Sequence, residues 1–213
     1  MRAPSSSTRN LRSLLRRVRG DFPEAVTFVD PQFYASTIVD ARLGRLDEHA
    51  YFQADLQYRD FIAASRLAQY VQAAIDYQRD LDVTHFCAPT VSIDSFGDRW
   101  SAIALSMAAE AINYHSSLDE ERPLLVSLLF SDSACNSNTS VEEFLDLLTD
   151  LECRGFYIIP QRDSVPSPLQ HSIKPGVLAS LQYIAYTLTE LNDYETYFGY
   201  SDLLALPLHA AGA

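Results

Sequence analysis

The stretch that most restricts the fold is residues 123–163. Residues 124–130 are apolar at every position but Ser127. Such a run suits a strand buried on both faces, as in parallel sheets. A polar loop, 131–139, leads to Ser140, Val141, Glu142 and Glu143, where Ser140 and Glu143 have the spacing of a capping box. Phe144, Leu148 and Leu151 then recur at helical spacing, and 155–160 is a second apolar run. Strand, helix and strand make a βαβ unit, whose strands must be parallel.

The same order recurs on both sides. Strands are predicted to start near 25, 84, 123, 155 and 195. Helices are predicted over 56–79, from the Asp98 cap onward, over 175–191 and over 203–211, with Ser201 or Asp202 as the last cap. Residues 31–52 show no clean period. Five such units fit two architectures. One is a partial or truncated (β/α)8, TIM-barrel-like fold; the other is a five-stranded doubly wound parallel sheet. The barrel-like reading is preferred, because the seven glycines form neither GxGxxG nor a P-loop. A barrel sector would need further βα units, self-association or a completing partner chain to cover its edges.

Residues 1–20 carry six Arg and no acid, with Leu11, Leu14, Leu15 and Val18 on one helical face. This segment reads as an Arg-rich terminal helix or arm ahead of one α/β domain over 21–213. A transit peptide and a contact arm for an acidic partner share that composition. The rest of the chain has 10 basic against 28 acidic residues, within a net charge of −12 overall. An acidic body repels phosphate backbones, which argues against a broad nucleic-acid-binding face. No apolar run approaches the ~20 residues that cross a bilayer. The three cysteines, Cys87, Cys135 and Cys153, form no CxxC and suggest a reducing compartment, hence the cytoplasm.

Ligands of parallel α/β folds bind at the carboxyl ends of the strands. Asp30, Asp94, Asp132, Arg162, Asp163 and Tyr200 are expected there. Asp30 precedes a proline and Asp132 lies well before the Ser140 cap, so capping explains neither; with Arg162 they form the candidate catalytic set. Asp94, Asp163 and Tyr200 are the candidate ligand-binding set. Aspartates in turns and caps give the bland account of the others. An acidic mouth of this kind can hold a divalent metal through oxygen ligands or supply acid–base chemistry. The expectation is a hydrolase or lyase acting on a small polar or glycosidic molecule. The alternative is a non-catalytic domain that mediates association. Tyr194, Tyr197 and Tyr200 cluster around the fifth strand, as packing or as a stacking surface. His85 and Cys87 share a strand face, and His85 is expected to be a core histidine with a satisfied partner.

Overall fold

The computed structural model describes residues 8–161, 173–200 and 205–213. The elements defined among them are α1 (Thr8–Asp21), α2 (Ala64–Arg79), β1 (Phe86–Cys87), β2 (Ser92–Ile93), α3 (Arg99–Ser117), β3 (Leu124–Ser131), α4 (Asn138–Thr149), β4 (Gly155–Gln161), α5 (Pro175–Tyr186), β5 (Glu195–Phe198) and α6 (Ala205–His209). Short 3-10 turns join them, and α5 ends in a π-helical turn, Thr187–Leu191. Every strand pair is parallel, so the fold is α/β with a five-stranded parallel sheet and helices. Among the described residues the sheet does not close on itself, since β1 and β5 stand at its two ends.

The strands neighbour one another in chain order, β1, β3, β4, β5, with β2 on the β1 flank of β3. Cys87 pairs with Leu125 and Ser92 with Leu129. Five steps of one chain thus oppose four of the other, which places a one-residue bulge at the Pro89 stretch. The bulge keeps Cys87 and Ser92 on the same face.

Alternation along the strands splits the sheet into two surfaces. Leu124, Val126, Leu128, Phe130, Phe156 and Ile158 share one core with the inward residues of α2, α3, α4 and α5. On α3 these include Ala104, Ala108 and Ala111, small enough to bring the helix close. The opposite face carries Cys87, Leu125, Leu129, Tyr157 and Ile159, with Phe28, Tyr34 and Tyr197 packed against them.

That second face is concave. Neighbouring strands lie about 4.8 Å apart, so β1 and β5 would be about 14 Å apart in a flat sheet. Yet His85, at the start of β1, places Nε2 3.1 Å from Glu195 Oε2 on β5. Ser92 Oγ likewise donates to Gln161 Oε1 across β3 at 3.1 Å. Gly155 permits the curl locally, because a Cβ there would stand 2.0 Å from the Glu195 carbonyl oxygen.

Three local expectations need correction. Residues 25–29 form no strand. The amides of Thr84 and His85 both donate to the single carbonyl of Thr27 (2.8 and 3.1 Å). The Thr27 amide goes to Thr84 Oγ1 at 2.7 Å. A side chain takes the place of a strand carbonyl, and no ladder forms. The α4 cap is Ser137, not Ser140: Ser137 Oγ accepts the Ser140 amide at 3.2 Å. The helix expected over 56–79 begins at Ala64, after a separate 3-10 turn, Tyr58–Asp60. Asp98 caps α3 as expected, accepting from the amides of Trp100 (2.8 Å) and Ser101 (2.9 Å). The cap expected at Ser201 or Asp202 lies outside the described residues.

Candidate functional site

Residues 25–36 pass over the concave face and deliver Asp30 to it. Asp30 is 1% exposed. Its Oδ1 accepts the Gln32 amide at 2.8 Å. Its Oδ2 accepts the Tyr34 hydroxyl at 2.9 Å and the Tyr200 hydroxyl at 3.4 Å. Burial pushes the Asp30 carboxyl above its ordinary range, and the bonds from Gln32, Tyr34 and Tyr200 only partly offset this. Gln32 and Tyr200 both have left-handed backbone, with φ of 51° and 57°. That conformation is uncommon for side chains of this kind and clusters at sites under constraint. Gln32 Nε2 also donates to the Tyr200 hydroxyl at 3.1 Å.

Tyr200 lies two residues after β5, so it stands at the carboxyl end of the sheet, and the residue is 45% exposed. It forms part of the wall of a cleft of about 570 Å³ between the concave face, the end of β5 and α6. Phe28, Tyr157, Tyr197 and Phe198 line it with Tyr200, and His209 approaches from α6. The Phe28 ring meets Tyr157 at 4.9 Å and Tyr197 at 5.6 Å. Gly199 is needed here, since a Cβ at that position would lie 2.5 Å from the Tyr157 hydroxyl. Burial, then the nearby charge of Asp30, keeps the Tyr157 phenol protonated far above its usual range.

At the other end of the same face, Glu195 accepts from Arg154 Nε at 2.7 Å and from the Tyr197 hydroxyl at 3.1 Å, beside His85. Burial would raise the Glu195 carboxyl, but the bonds from Arg154 and Tyr197 and the charge of Arg154 outweigh it and leave the group lowered. His85 Nδ1 stands 2.9 Å from Thr84 Oγ1, so both ring nitrogens have partners, as a core histidine requires.

The structure thus brings together Asp30 and Tyr200, which are 170 residues apart in sequence. Of the other expected residues, only Asp94 and Asp132 are among those described, and neither is hydrogen-bonded to Asp30. Asp94 is exposed after β2. Asp132 opens the 3-10 turn after β3 and is half-buried. Arg162 and Asp163 lie outside the described residues. Among the described residues, no three His, Cys, Asp or Glu side chains sit close enough to hold a metal ion. None of the described helices is long and apolar enough to cross a membrane.

Gln32, Tyr34, Tyr157 and Phe28 were not foreseen. Gln32 and Tyr34 lie in 31–52, which shows no clean period, while Phe28 and Tyr157 lie in stretches expected to be strands. The tyrosine cluster separates by strand parity: Tyr197 faces the cleft, while Tyr194 packs on Phe156 at 5.1 Å on the other face. Scans of protein-family models, curated proteins and solved structures return no match to this chain.

Proposed function

We propose that the concave face is a small-molecule site in which Asp30 and Tyr200 act as a proton relay, as in a hydrolase or lyase working on a small polar substrate. One observation carries this reading. A buried carboxyl sits directly behind a hydroxyl that forms the wall of an open cleft. When Asp30 holds its proton, Oδ2–H can donate to the Tyr200 oxygen. In that arrangement the Tyr200 O–H no longer points at Asp30 and can turn toward a ligand in the cleft. As the Tyr200 proton moves to the leaving group, the Asp30 proton moves to Tyr200, and Asp30 is left as the carboxylate. The raised affinity of Asp30 for its proton suits that task, since a general acid must hold its proton until the leaving group takes one. The described residues supply one carboxyl here, so the two-carboxylate glycosidase arrangement gains no support from them.

We further propose that the sheet is a sector of a (β/α)8-type barrel. Strands in chain order, helices packed on one face and a concave opposite face all favour that geometry. The site then lies where barrel ligands bind, at the carboxyl ends of the strands.

The test is release of a chromogenic leaving group from a panel of nitrophenyl glycosides and esters, over pH 5–9. Turnover that falls about 100-fold or more in Tyr200→Phe and in Asp30→Asn supports the relay. Turnover indifferent to both variants overturns it. Binding without turnover favours the non-catalytic alternative.

A further inference from the structure

The cleft beside Tyr200 has walls of unusual chemistry. Phe28, Tyr157, Tyr197, Phe198 and Tyr200 surround it, and none of its described lining residues is Lys or Arg. The Tyr197 hydroxyl donates to the Glu195 carboxylate at 3.1 Å, and the Tyr200 hydroxyl lies 3.4 Å from the buried Asp30 carboxyl. A phenol that donates to a carboxylate pushes electron density into its ring. The ring face becomes a better partner for a positive charge. The molecule around it carries a net charge of −12, which concentrates cations near its surface.

We propose that this cleft is an aromatic cage for an organic cation, a small molecule bearing an alkylated or quaternary ammonium group. The proposal rests on the site reading above and names its ligand class. A metal ion is a poor match, because it needs converging oxygen or nitrogen ligands and the walls are rings. A strongly hydrated ammonium of the lysine kind gains less, since it must give up water to face a ring. A methylated ammonium carries its charge on an apolar surface and suits a cleft whose walls are mostly carbon. His209 adds a polar contact. With Nδ1–H donating to the Ala213 carbonyl at 2.9 Å, the neutral ring leaves Nε2 as an acceptor for a hydroxyl or N–H on the ligand.

The experiment titrates the full chain with choline and with tetramethylammonium. The control is 3,3-dimethyl-1-butanol, the neutral isostere of choline, and binding is followed by calorimetry. Choline is expected to bind at least 10-fold more tightly than the isostere. Tyr197→Phe keeps the ring but loses the bond to Glu195, and is expected to weaken choline several-fold. Tyr200→Ala removes an exposed wall and is expected to weaken it 10-fold or more, with its melting curve confirming a folded chain. Equal affinity for choline and the isostere overturns the cage. So does absence of cation binding while nitrophenyl substrates still bind in a Tyr200-dependent way, which leaves the site reading standing. If neither class of ligand binds, the cage and the site reading both fall.

Discussion

At Asp30, burial and hydrogen bonding act in opposite directions, and burial prevails. The folded chain therefore holds the Asp30 proton to higher pH than the unfolded chain does. By linkage, the stability this group contributes is fully present below its unfolded pKa and is lost as pH rises through its raised native pKa. Asp30→Asn cannot titrate, and its amide can still bond to Tyr34 and Tyr200. Denaturant melts across pH 4–8 should show wild-type stability declining with pH relative to the variant. A parallel pair of curves would show that Asp30 does not titrate there. Asp30→Ala leaves the Gln32 amide and the Tyr34 hydroxyl without an acceptor, and should cost about 1–3 kcal/mol at any pH. Sequence reading found Asp30 because a proline after it removed capping as an explanation. It could not find Tyr34 or Gln32, since a left-handed residue in an aperiodic segment leaves no pattern to detect.

Among the elements, the helices were legible where apolar spacing set them and less so where caps did. Asp98 was identified because an acceptor there directly precedes an apolar-periodic run. At α4 three candidate hydroxyls, Ser137, Thr139 and Ser140, compete, and the capping-box spacing favoured Ser140. The chain instead starts the helix one turn earlier, on Ser137. Ser137→Ala should therefore destabilise by about 1 kcal/mol and Ser140→Ala by less, as read from urea midpoints. Asp98→Ala removes the acceptor of two amides at 2.8 and 2.9 Å, and should cost about 1–2 kcal/mol. β4 and β5 depend on a different detail. Gly155→Ala would press a methyl into the Glu195 main chain, which cannot rotate away, and should lower the melting temperature more than Gly199→Ala. Gly199→Ala meets a tyrosine hydroxyl that can move, so its larger effect should fall on ligand affinity.

For the whole molecule, the curl of the sheet is held at one end by side chains at the starts of β1, β4 and β5. His85, Arg154 and Tyr197 converge on Glu195. Because the native Glu195 carboxyl is lowered, its contribution is present above its unfolded pKa and is lost as pH falls through the native one. Glu195→Gln should therefore be less stable than wild type by about 1–3 kcal/mol at pH 7, with the gap closing on acidification. A constant gap down to pH 3 would mean that the charge contributes nothing. The parallel order of the strands could be read from apolar runs and helix spacing. Their curvature could not, because it arises from contacts between residues 110 positions apart.

The distance along the chain between Asp30 and Tyr200 also bears on how the protein is made. During synthesis the acid group emerges early and must wait, beside the first helices, for a hydroxyl supplied 170 residues later. A nascent chain halted before its fifth strand would hold a buried carboxyl with no Tyr200 to join it to a cleft. A ligand of this site would therefore distinguish finished molecules from stalled ones.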